Sequence, residues 1–213
     1  MDCNEAYYKG IQHRMTKTEF LIGRVGLEFG DNFYPDDLPE DWCFDHYSSL
    51  FKALALPVDT DEDLDHICKT IHDDLGDYFE LVLVVEESVL NDAAQLKQLL
   101  ASLQEYQENY TLWCHVTSQP KATCLKLIEN NKVCLQSSTT LKSTLNQCKV
   151  LDQTLHYSDT PVVLLSDLTD LESISQEVIT TMEGLPRVTI ICASTMGDSL
   201  NHMQSISALV NSA

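Results

Sequence analysis

The sequence predicts an α/β fold, a shortened or degenerate TIM-type (β/α) barrel, and three observations carry that expectation. Seven short apolar segments recur through the 213 residues. Most are continuously apolar, as befits strands covered on both faces in a mainly parallel sheet. Between several of them lie helical patterns long enough for the crossovers that parallel strands require. Seven units in this length is about 30 residues per unit, close to the spacing of an eight-unit barrel, whose usual total is about 250 residues. An open doubly wound parallel sheet is the rival arrangement.

The elements follow in order. FLIG (20–23) is the first strand, KALALP (52–57) the second and FELVLVV (79–85) the third. Between the last two, DTDEDLDHICKTIHDDLGD opens with acids suited to the positive end of a helix dipole. It places Leu64, Ile67, Ile71 and Leu75 on one face and meets Gly76 near its end. The next helix, within SVLNDAAQLKQLLASLQEYQENY, carries Leu96, Leu99, Leu100 and Leu103 at three- and four-residue spacing, with Asn91 or Asp92 as its cap. TLWCHV (111–116), KVCLQS (132–137) and PVVLLSD (161–167) are further strands. SDLTDLESISQEVITTMEGLP repeats the helical plan with Leu171, Ile174, Val178 and Met182, and stops at Gly184 and Pro186. RVTIICAS (187–194) is the seventh strand, and a final helix carries Leu200, Met203, Ile206 and Val210 on one stripe. No linker, repeat or low-complexity tract interrupts the chain, so residues 1–213 read as one domain with 1–17 peripheral.

Composition narrows the function. With 44% hydrophobic and 22% charged residues the chain has ample apolar material for a core. The formal charge of −20 opposes nucleic acid and anionic membranes, whose affinity comes from Lys and Arg. A basic protein is the natural partner of such a surface; the oligomeric state is not legible. No run reaches the roughly 18 apolar residues of a membrane span, and the N-terminus lacks the pattern of a secretory signal. The cytosol is the expected compartment. Cys114, Cys134 and Cys192 lie within apolar runs, which together with that compartment reads as reduced core thiols. No Cys-x-x-Cys occurs, and no cofactor motif and no metal site are predicted.

One segment carries a distinctive pattern. Gly23-Arg24-Val25-Gly26 follows the first strand, and Phe33-Tyr34-Pro35, Leu38-Pro39, Trp42, Tyr47 and Phe51 come soon after. Residues 20–57 thereby resemble the opening of the YecE-like family, domain of unknown function 72. The resemblance implies a TIM-type barrel more firmly than any reaction, because the family's activity is poorly defined. It also implies a departure: where members have a Trp after the second glycine and a Glu and an Asn in the second strand, Leu27, Leu54 and Leu56 stand here. Polar groups of a strand-end pocket would then have become apolar. Trp42, Tyr47 and Phe51 are expected to pack a short helix against the barrel.

Ligands of parallel α/β folds bind beyond the carboxyl ends of the strands. That position selects Glu86, His115 and Asp167 as a catalytic acid/base set or a two-carboxylate, one-imidazole metal site. Arg24, Gln136 and Ser194 would bind ligand. The simpler reading competes at each: Glu86 and Asp167 precede helices and suit caps, and His115 suits a hydrogen-bonded core histidine. His66 and His72 share a helix about 120° apart and do not converge. The expected function is therefore a noncatalytic degenerate barrel that binds protein, with a hydrolase or lyase, possibly metal-assisted, as the alternative.

Overall fold

A computed structural model describes residues 17–28, 33–60, 62–165, 171–193 and 199–212. All seven apolar segments form strands: β1 (Glu19–Val25), β2 (Ala53–Pro57), β3 (Glu80–Val84), β4 (Tyr110–His115), β5 (Val133–Ser137), β8 (Val162–Leu165) and β9 (Arg187–Cys192). Two more, β6 (Asn146–Val150) and β7 (Gln153–Tyr157), form a hairpin around Leu151, whose φ is 53°. Their polar side chains, exposed in β6 and largely buried in β7, hide them from a search for apolar runs; in β6 only Val150 is buried. The order across the sheet is β6-β7-β5-β4-β3-β2-β1-β9-β8. Every pairing within the run from β5 to β8 through β1 is parallel, whereas the β5–β7 and β6–β7 pairings are antiparallel.

This sheet curls into a nearly closed barrel with a seam between β5 and β8. The free edge of β5 is taken by β7, so β8 cannot pair with the β5 backbone. It meets β5 side chains instead. The Val162 N–H donates to the Cys134 Sγ at 3.3 Å and the Leu164 N–H to the Gln136 Oε1 at 3.1 Å. Because Cys134 and Gln136 project from one face of β5, that face is the concave side of the sheet.

Paired residues of neighbouring strands share a face, so the register sorts the whole barrel. Gly23, Ala53, Ala55, Glu80, Val82, Thr111, Trp113, Cys134, Gln136 and Thr189 point inward. Leu54, Leu56, Leu81, Leu83, Tyr110, Leu112, Leu135, Ile190 and Cys192 point outward, toward the helices. The helix-facing layer is thus dominated by bulky aliphatics, whereas the bore mixes small and polar side chains with Leu21, Val82, Ile191 and the ring of Trp113. Leu54, Leu81 and Leu135 are fully buried, each worth about 1.5–3 kcal/mol of apolar burial.

The helices cover the outside. They are α1 (Cys43–Leu50), α2 (Leu64–Thr70), α3 (Glu87–Leu90), α4 (Ala93–Ser102), α5 (Ala122–Ile128), α6 (Leu171–Met182) and α7 (Ser199–Ser212). Asp63 caps α2 by accepting the His66 N–H at 3.0 Å, and α2 runs on into a wider π-helical turn, Ile71–Leu75, that ends at Gly76 with φ 53°. Asp92 caps α4 through the Ala94 and Gln95 N–H groups. Val178, Met182, Met203 and Ile206 are buried as their spacing predicts. Among the described residues no helix is long and apolar enough to cross a membrane, and seven cysteines are free, Cys114, Cys134 and Cys192 being buried.

Candidate functional site

The carboxyl end of β1 is built around Tyr47 of α1. Its hydroxyl accepts the Arg24 N–H at 3.1 Å and donates to the Ala53 carbonyl at 2.6 Å, bridging β1 and β2 where their direct ladder parts. Gly23 makes this possible, since a Cβ there would stand 1.7 Å from the Ala53 oxygen. Gly26, at φ 77°, then turns the chain. Phe33 and Tyr34 pack edge to face with ring centres 4.7 Å apart, and Phe51 lies against Tyr47. Trp42 does not join them: it is 60% exposed, because the 3-10 turn Glu40–Trp42 holds it ahead of the buried face of α1.

Arg24 is buried, but on the outward face with Leu54 and Cys192. Burial presses its pKa down, while Tyr47, Tyr34, Cys192 and Glu28 act in the opposite sense. It therefore belongs to the layer between strand and helix and not to the bore that holds Gln136. The same register corrects the expectation for Leu54 and Leu56. Both face the helices, so their apolarity is ordinary core packing; the inward positions of β2 are Ala53, Ala55 and Pro57. Leu27 is buried as well.

Glu86 and His115 follow the last pair of the β3–β4 ladder. Each lies two residues beyond a member of the Val84–Trp113 pair, and both are exposed at the carboxyl rim. His115 is thus a surface residue at the end of β4 and not the core histidine its apolar neighbours suggest. Glu86 accepts the Ser88 hydroxyl at 3.0 Å. Its neighbour Glu87 reaches further, taking the N–H and hydroxyl groups of both Thr117 and Ser118. Desolvation pushes the Glu87 carboxyl up, but those four hydrogen bonds outweigh it and hold the group below the usual carboxylate value. Gln136 commits both ends of its amide to Leu164 across the seam. Asp167 and Ser194 lie outside the described residues. Among the described residues no three His, Cys, Asp or Glu side chains are grouped to hold a metal ion.

Three concavities lie elsewhere. A polar cavity of about 400 Å³ opens at the amino-terminal end of the barrel, lined by residues that include Glu80, Lys132, Asp159 and Arg187. A second, of about 330 Å³, shares Asp159 and Arg187 with it. An apolar groove of about 420 Å³ runs between α5 and residues 142–145. None of the three is lined by Glu86, His115 or Gln136. Glu80 is buried and accepts the Thr111 hydroxyl. Desolvation raises its pKa, and the hydrogen bond from Thr111 and the charges of Lys132 and Arg187 only partly offset that. The sequence signal was available: Glu80 is the charged residue inside the apolar run FELVLVV. The strand-end rule directed attention to the opposite rim. His156 was also missed. It is fully buried on β7, and its Nε2 accepts the Leu141 N–H at 3.1 Å.

No family model and no curated protein matches this sequence. Solved structures do match. A DUF72 family protein from Thermotoga maritima MSB8 superposes with a TM-score of 0.59 at 10% identity, over 90% of this chain and 99% of that one. A DUF72 family protein from Enterococcus faecalis V583 gives a TM-score of 0.52 at 9% identity, over 90% of this chain and 95% of that one. The seamed barrel described above is accordingly the fold of DUF72 family proteins, reached by a sequence that shares about a tenth of its residues with them.

Proposed function

We propose that this protein acts without catalysis, as a degenerate barrel in the cytosol that binds a basic protein partner. The observation that carries this reading is the inward lining of the carboxyl end among the described strands. Val25, Pro57 and Val84 end β1, β2 and β3 there, and the Gln136 amide is consumed by the seam. Apolar residues and a satisfied amide supply neither acid, base nor nucleophile, which leaves His115, paired in register with Gln136 and exposed at the rim, as the titratable side chain on the inward face of these strand ends. The charge of −20 favours a cationic partner through long-range attraction that salt screens.

The test is titration of the purified chain with a lysine-rich peptide at low and raised salt, followed by sedimentation. Saturable binding that weakens with salt supports the reading, and no binding at any salt overturns it. A hydrolase or lyase is the second reading, favoured by the exposure of Glu86 and His115 just beyond the Val84–Trp113 pair, with Asp167 as the third member of the set. Hydrolytic or eliminating activity that disappears in His115→Ala but survives in His72→Ala would establish that alternative instead.

A further inference from the structure

The amino-terminal cavity holds opposite charges that do not pair with each other. Glu80 enters it from the start of β3, Lys132 from the residue before β5 and Arg187 from the start of β9. Lys132 and Arg187 are near enough to act on the Glu80 carboxyl, yet no nitrogen of either lies within 4.0 Å of its oxygens. Each group has spent only part of its capacity. Glu80 uses one oxygen on the Thr111 hydroxyl, and among the described residues the other has no hydrogen-bond partner. Lys132 donates one of its three N–H bonds, to the Glu108 carbonyl at 2.8 Å. Arg187 gives its Nε to Glu19 at 2.7 Å, leaving the rest of its fork.

A buried charge without a full set of partners is costly. Opposite charges kept apart by a cavity are matched by a molecule that carries both. We infer that this cavity binds a dipeptide-sized zwitterion, its ammonium on Glu80 and its carboxylate on Lys132 and Arg187. The span agrees. Glu80 and Lys132 are rooted two strands apart, about 10 Å between backbones, and two residues of extended peptide reach about 7 Å, the side chains closing the difference. Asp159 stands at the junction with the second cavity, which continues the site toward Pro161 and Leu185. The site lies at the end opposite to the one that βα loops normally equip.

Calorimetric titration at neutral pH with alanyl-alanine tests this directly. Saturable binding is expected for the free dipeptide, and binding at least about tenfold weaker for N-acetyl-alanyl-alanine and for alanyl-alanine amide, each of which lacks one charge. Glu80→Gln and Lys132→Met should each weaken the free dipeptide by at least about tenfold, while His115→Ala at the other rim leaves it unchanged. Thermal melts establish that each variant is folded. Absence of saturable binding to the wild type, equal binding of the blocked forms, or folded Glu80→Gln and Lys132→Met variants that bind normally would each overturn the assignment.

Discussion

The carboxamide of Gln136 brackets Leu164, its Oε1 accepting the Leu164 N–H at 3.1 Å while its Nε2 donates to the Leu164 carbonyl at 3.3 Å. A side chain thereby imitates the backbone of the strand that would close the barrel. Two residues earlier Cys134 does the same for Val162, with contacts of 3.3 and 3.4 Å. Burial pushes the Cys134 thiol up to about 12 against a smaller opposing effect from that backbone contact, so it stays a thiol at neutral pH.

Gln136→Ala should open the seam. It leaves a backbone donor and acceptor of β8 without partners, at about 1–3 kcal/mol for each group that water does not reach. Urea denaturation should show a loss of about 2–4 kcal/mol. A loss below about 1 kcal/mol would mean that the edge of β8 finds other partners.

Tyr47 and Gly23 test the join between β1 and β2. Tyr47→Phe removes a fully buried hydroxyl that serves the Arg24 N–H and the Ala53 carbonyl together, and should cost about 1–3 kcal/mol. Gly23→Ala is more severe, because the added methyl meets the Ala53 carbonyl oxygen, a backbone atom. Its expected cost exceeds about 3 kcal/mol, read as failure to give a cooperative melt or as a large fall in Tm.

His156 makes stability depend on pH. Burial lowers its pKa below the ordinary 6.5, so the folded state prefers the neutral ring that accepts the Leu141 N–H. A lowered folded value means the contribution is present above the unfolded pKa and is lost as pH falls through the folded one. The stability advantage of the wild type over His156→Gln should shrink on acidification below about pH 6.5, by at most about 1.4 kcal/mol per pH unit. An advantage that is constant between pH 8 and 5 would count against this role.

Glu80 has the opposite sign. Its folded pKa is raised by desolvation, so its contribution is fully present below the ordinary carboxyl value of 4.5 and is lost as pH rises. Glu80→Gln keeps an oxygen for the Thr111 hydroxyl and removes the buried charge. The variant should melt higher than the wild type at pH 7, and the difference should vanish near pH 4. A lower melt at pH 7 would show that Lys132 and Arg187 compensate the charge.

Glu87 organises the loop after β4. Glu87→Ala withdraws one carboxylate from four donors on Thr117 and Ser118. Hydrogen exchange at the Thr117 and Ser118 amides should accelerate while the amides of β4 keep their protection.

The seven apolar runs, their order and the helices between them were legible because burial on both faces leaves a continuous mark in the sequence. So were the caps at Asp92 and Gly76, which local backbone chemistry requires. The Gly-x-x-Gly, Tyr and Phe pattern pointed to a barrel that the superpositions show. Tertiary structure decided the rest. Which face of a continuously apolar strand turns inward cannot be read from the strand itself, so Leu54 and Leu56 suggested an altered mouth while register places them under helices. The β6–β7 hairpin, half polar, took the edge of β5 and left Cys134 and Gln136 to close the barrel. Glu80, Lys132 and Arg187 each lie more than 50 residues from the next in sequence, and only the curl of the sheet brings their strand origins around one cavity. Local pattern records how a residue meets its own element; a site records which elements meet, and that is settled by the closure of the whole chain.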